Sequence, residues 1–251
     1  MQGLDIFSAS WFMAIGALLV AAFIRGTTGF GFSLVFTPFM ILIMEPKAVI
    51  PVNLLLASLS NVMVVASSHR AINVRRLLPM TVASLLGVPI GVFIITVISP
   101  TLLKVLIGVI TVFFAILLIF RLTPHFADER RASCMAGLAS GILNASTSLG
   151  GPPAVLFMHN QSWQKREIHP SLSAFFLVNT GASLIGLAMS GMVTPDILLT
   201  AASFAPGLVV GVYLGMLAFR HVNDSFFRIL SIVVVVGTGI LAVLSGLGVM
   251  K

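Results

Sequence analysis

The sequence predicts an all-α membrane protein with an inverted-topology repeat, each half a broken or re-entrant helical hairpin followed by three transmembrane helices. Three observations carry that expectation. Of the 251 residues, 58% are hydrophobic and only 8% are Asp, Glu, Lys or Arg, where soluble domains carry about 25% charged residues; mean hydropathy is +1.13. The apolar residues come in continuous runs of about 20, each long enough to cross a hydrocarbon core of about 30 Å as a helix. Matching motifs recur in the two halves of the chain. Barrel strands would instead read as alternating segments of about ten residues.

In chain order the apolar segments are 8–24, 27–44, 47–68, 77–98, 101–121, 132–148, 150–160, 168–190, 196–219 and 225–249. They fill the chain and leave no room for a soluble domain, so residues 1–251 form a single transmembrane domain. The start is not a cleavable signal, because it lacks a basic region and carries Asp5. The fourth segment holds Pro79 and Pro89, tolerated in membrane helices where neighbours satisfy the freed carbonyls.

The connectors set the orientation. Those at 69–76, 121–131, 159–169 and 220–228 carry the arginines and lysines, among them Arg70, Arg75, Arg76, Arg130, Arg131, Lys165 and Arg166. They are placed in the cytoplasm by the positive-inside rule. The connectors at 45–47, 99–101 and 191–196 are poor in basic residues and go outside, as do both termini. The formal charge of +7 then reflects orientation, and no nucleic-acid partner is expected. Each hairpin must enter and return to the same side, and the two do so from opposite sides.

The repeat, 5–121 and 130–249, rests on residue matches. A shift of 119 lays Thr27–Gly31 on Ser146–Gly150, and a shift of 118 lays Asn61 on Asn179. A shift of 124 lays Gly87 and Gly91 on Gly211 and Gly215, and Leu102–Leu106 on Phe226–Leu230. Transporters are often built this way, so that one midplane site faces either side in turn.

The matched hairpins carry the least helix-like sequence: Arg25-Gly26-Thr27-Thr28-Gly29-Phe30-Gly31-Phe32-Ser33, and Asn144-Ala145-Ser146-Thr147-Ser148-Leu149-Gly150-Gly151-Pro152-Pro153. Pro suits the first turn of a new helix. A helix start inside the membrane offers free N–H groups and a partial positive charge to an anion. The alternative is a plain turn at the membrane surface. Arg25 is either buried, where it needs an anionic partner such as a substrate gripped in fork geometry, or solvated on the cytoplasmic side. Asn53, Ser60 and Asn61 share one helix face, and Asn179 and Ser183 another; each set either lines a path or glues helices together. The candidate substrate-binding residues are therefore Arg25, Gly29, Phe30, Gly31, Phe32, Ser33, Asn53, Asn61, Ser148, Leu149, Gly150, Gly151 and Asn179.

Other features exclude functions. His125, His159 and His169 lack metal-ligand spacing and read as solvated loop residues; Trp11 and Trp163 read as interface anchors. The single Cys134 forms no internal disulfide and no multi-cysteine metal site. All seven acidic residues, Asp5, Glu45, Asp128, Glu129, Glu167, Asp196 and Asp224, fall at segment ends or in connectors. No carboxylate at mid-membrane relays protons or holds a cation. No nucleotide-binding loop and no catalytic constellation is present, so neither an enzyme nor a cofactor is expected.

The early Arg-Gly-Thr-Thr-Gly-Phe-Gly-Phe followed by Val-Phe-Thr-Pro, matched by Gly-Ile-Leu-Asn-Ala-Ser-Thr-Ser-Leu-Gly-Gly-Pro-Pro, resembles the sulfite exporter TauE/SafE family of bacterial membrane permeases over essentially the whole chain. The resemblance implies an inner-membrane permease for small anions such as sulfite, organosulfonates, sulfoacetate or related carboxylates. Its paired glycine-rich motifs map onto Gly26, Gly29 and Gly31, and onto Gly150 and Gly151. The expected function is a secondary transporter working by alternating access, with a small anionic substrate and the lipid bilayer as partners. An anion channel of the same fold, or a non-transporting scaffold or sensor, is the alternative. A homodimer is compatible with the sequence.

Overall fold

The computed structural model describes residues 9–28, 30–68, 72–120, 128–161, 163 and 165–218, with 237 and 240. Gly29, His125, both termini and, apart from 237 and 240, the segment at 225–249 lie outside the described residues. The described chain is helical: α1 (Ala9–Thr28), α2 (Phe32–Met40), α3 (Pro46–Ser68), α4 (Val74–Val97), α5 (Pro100–Phe120), α6 (Glu129–Thr147), α7 (Gly151–Asn160), α8 (Lys165–Met189) and α9 (Pro195–Ala218). Among the described residues, α3, α4, α5, α8 and α9 are long and apolar enough to cross a membrane. Five such helices make the chain a multi-pass membrane protein.

Both expected hairpins are present as a long helix, a short break and a short return helix. The return helices α2 and α7 have nine and ten residues. At 1.5 Å per residue they reach about 15 Å, half of what a crossing needs. The breaks fall between α1 and α2, at Phe30 and Gly31 among the described residues, and at 148–150. At the first, Gly31 takes a left-handed φ of 91°, which costs a glycine nothing. At the second the left-handed residue is Ser148, φ 59°, and α7 then starts with prolines in its first turn. One expectation shifts by a turn. Arg25, Gly26 and Thr27 are helical, because Gly26 serves packing: a Cβ there would overlap α9 at Val212 and Gly215.

Small residues set the long-range packing. Gly211 and Gly215 of α9 meet Ala22, Phe23 and Gly26 of α1. Gly87 and Gly91 of α4 meet Leu138, Ile142 and Ala145 of α6, while Gly137 and Gly141 of α6 press on Met80 and Ser84 of α4. Residue numbers rise together in both pairs, so each pair is parallel. Gly-xxx-Gly spacing allows such close backbone approach where lipid removes the hydrophobic drive for helix association. The two broken helices are thus each clamped by a helix from the other half.

The connectors sort onto two faces. On one, Arg76 Nε pairs with Glu129 Oε1 at 2.6 Å and its guanidinium lies 4.8 Å from the centre of the Trp163 ring; Asn73 Nδ2 reaches Glu167 at 3.5 Å. On the other, Glu45, Lys47, Thr194 and Asp196 line one shallow cavity, and Glu45, Thr101 and Lys104 another. Each described acidic residue lies at or just before a helix start. Trp163 is buried, with its indole under Arg76.

Candidate functional site

The two breaks converge. The Thr37 and Ser148 hydroxyls, on α2 and at the second break, are 2.7 Å apart. Between the breaks lies a cavity of about 50 Å³. At about 10–15 Å³ per water, that is room for a few waters or one compact anion. The first break lines it with Phe30, Gly31, Phe32 and Ser33, and the second with Ser148, Leu149, Gly151 and Pro152. Its remaining wall comes from Arg25 and Leu34, from Ala57, Ser60 and Asn61 on α3, from Asn144 on α6, and from Phe176 and Thr180 on α8.

Arg25 is the charged residue of this wall, and it is buried, 5% exposed. Its Nε donates to Ser60 Oγ at 3.1 Å, and its Nη2 to Asn61 Oδ1 and to Ser173 Oγ, the latter at 3.3 Å. These oxygens belong to α3 and α8, are neutral acceptors, and orient the guanidinium. His169, expected in a solvated connector, instead lies half-buried in α8, one turn before Ser173 and within the field of Arg25. His159 is exposed at the end of α7.

The second half makes a comparable contact with a neutral residue. Asn144 Nδ2 donates to Thr180 Oγ1 at 3.4 Å and to Ser183 Oγ at 3.2 Å. Asn144 follows Arg25 by 119 residues, and Thr180 follows Asn61 by the same number. A cation on one side is thus answered by an amide on the other.

The hydroxyls are directed. Asn53 Nδ2 donates to Ser33 Oγ at 2.8 Å, so the Ser33 proton is left to point elsewhere, and Ser33 lines the cavity. At the second break the backbone is partly committed. Ser148 N donates to Asn144 O at 2.9 Å, Leu149 N to Thr147 Oγ1 at 3.4 Å, and the Gly150 carbonyl accepts from Ser140. Pro152 and Pro153 have no N–H. Gly151, the first residue of α7, is the glycine that faces the cavity there.

Of the sequence candidates, Arg25, Phe30, Gly31, Phe32, Ser33, Asn61, Ser148, Leu149 and Gly151 meet in this cavity. Asn53 stands behind Ser33, and the Gly150 carbonyl is held by Ser140. Asn179 is buried off the cavity, and among the described residues neither of its amide atoms has a hydrogen-bond partner. The sequence reading missed Asn144, Ser173, Phe176 and Thr180 as site residues. Asn144 was visible as the repeat mate of Arg25; the face of α8 was set from Asn179, 100° away from Thr180.

No curated protein and no solved structure matches the chain at a significant level. A model of the family described as sulfite exporter TauE/SafE matches residues 14–242, a span that contains both breaks, every cavity residue and the helices that clamp them, and the chain belongs to that family.

Proposed function

We propose that the protein is a secondary transporter that carries one small anion at a time through the cavity between the two breaks, by alternating access. The anion is a sulfur oxyanion, an organosulfonate or a related small carboxylate, and the membrane is the bacterial inner membrane with the arginine-bearing face in the cytoplasm. One observation carries this reading. Arg25, the Ser33 hydroxyl and the start of α7 face one cavity at the point where two half-crossing hairpins meet.

Each element has a role that its chemistry supports. Arg25 supplies the charge that draws an anion out of water, in a wall where desolvation strengthens the attraction. A buried arginine costs about 3 kcal/mol in a membrane helix, and such residues are retained where they bind or conduct. Ser33 and Gly151 offer neutral donors, and the partial positive end of α7 adds to the field. Phe30, Phe32 and Phe176 exclude water and favour a substrate with a weakly hydrated part. The halves 5–121 and 130–249 form an inverted repeat in this reading, which the parallel pairs α1–α9 and α4–α6 and the Arg25–Asn61 and Asn144–Thr180 contacts support. Rocking of one hairpin and its clamp against the other would open the cavity to each face in turn.

The test is anion flux in reconstituted vesicles, with sulfite and with organosulfonates. Arg25→Gln keeps hydrogen bonding and removes the charge; flux should fall at least tenfold (about 1.4 kcal/mol). Unchanged flux and affinity in a folded variant would remove the cavity from the transport path.

A further inference from the structure

A second, lipid-facing groove runs between α4 and α6, away from the cavity. We infer that it is a binding site for one anionic phospholipid, with an acyl chain between the helices and the phosphate on Arg130. The groove measures about 520 Å³. Because α4 and α6 are parallel, their residues form two rails: Leu78, Val82 and Leu86 on one, and Arg130, Cys134 and Leu138 on the other. Each rail repeats at four-residue spacing, so it holds one helix face over about 12 Å, the length of roughly nine or ten methylenes. The rails are apolar except at one end.

That end is where charge gathers. Arg75, Arg76, Arg130 and Arg131 all lie in the first turn of α4 or α6. Arg76 is paired with Glu129 and Arg131 with Asp128. Arg130 is exposed, lines the groove mouth, and its side chain has no described bond. A lipid phosphate matches it in charge. Basic pockets between transmembrane helices hold anionic head groups for this reason. A zwitterionic lipid would fill the rails equally well and gain less at the mouth.

The consequence is selective. The protein should be taken from nanodiscs of equal phosphatidylglycerol and phosphatidylcholine into native mass spectrometry. The wild type should retain one phosphatidylglycerol in preference to phosphatidylcholine. Arg130→Gln should cut that preference about fivefold, while Arg130→Lys and Arg75→Gln keep most of it. Leu138→Trp, which fills the groove and leaves Arg130 in place, should also release the lipid. Melting in phosphatidylcholine alone checks that each variant is folded. Equal retention of the two lipids by the wild type, an unaltered preference in Arg130→Gln, or a lipid-free dimer that buries the groove would each overturn the assignment. None of these outcomes depends on whether Arg25→Gln transports.

Discussion

Arg25 touches both halves of the molecule at once, through Ser60 and Asn61 on α3 and Ser173 on α8. A planar guanidinium can hold those oxygens and still turn one edge to a ligand; an ammonium of the same charge has three donors on a flexible stem. Arg25→Lys should therefore behave much like Arg25→Gln. Hydrogen bonds to a charged group are worth about 1.5–3 kcal/mol each, so losing one costs about tenfold or more in affinity. Substrate titrations of vesicle flux measure it. A lysine variant with wild-type flux would mean that Arg25 acts as a point charge and that its fork geometry is irrelevant. Ser33 works by a different principle. Asn53 Nδ2 occupies one of its two lone pairs, which orients the hydroxyl and leaves its O–H free to donate into the cavity. Asn53 earns its burial there and not on the cavity wall.

At the scale of helices, the fold depends on what the glycines leave out. A Cβ on Gly141 would stand 2.9 Å from the Ser84 carbonyl carbon, and one on Gly215 would stand 2.9 Å from Gly26 Cα. Backbone cannot retreat as a flexible side chain can. Gly141→Ala and Gly215→Ala should each destabilise the protein by about 1–3 kcal/mol or more. Gly16→Ala, with no atom within 4 Å of the added carbon, should be neutral or stabilise by up to about 1 kcal/mol. Detergent-titration unfolding compares the three, and equal effects would mean that α1–α9 and α4–α6 do not hold the halves together. This level was only partly legible in the sequence. The breaks after α1 and at 148–150 could be read, because glycine and proline act on the local backbone. The partners of α1 and α6 could not: membrane helices are apolar nearly all round, so no polar stripe marks the packed face. The residues that pack, Gly211, Gly215, Gly87 and Gly91, appeared in the sequence only as repeat matches. Gly26 was read as part of a turn for the same reason, since a packing glycine and a turning glycine look alike until the neighbouring helix is known. On α8, Asn179 drew the eye as a polar residue, and the face that lines the cavity carries Phe176 and Thr180.

The whole molecule seats α2 of the first hairpin against the break of the second, and transport by alternating access requires the two to move apart. Among the described residues they touch through the hydroxyls of Thr37 and Ser148, 2.7 Å apart. A disulfide needs its Cβ atoms about 3.5–4.5 Å apart, and two hydroxyls in hydrogen-bond contact hold theirs no more than about 5.5 Å apart, so a modest approach of the two elements closes one. With the one native cysteine replaced (Cys134→Ser), Thr37→Cys combined with Ser148→Cys should cross-link on oxidation. A carrier whose hairpins separate and rejoin in each cycle then stops, and dithiothreitol restores flux to the level of the reduced double variant. Each single cysteine variant should be insensitive to oxidant. A pore needs no such movement: its anion current would pass the cross-linked hairpins unchanged. Vesicle flux measured before oxidation, after it and after reduction separates the two behaviours in one preparation. Full flux through a fully cross-linked protein would leave the cavity as a fixed path and end the alternating-access reading, while the role of Arg25 would still stand on its own test.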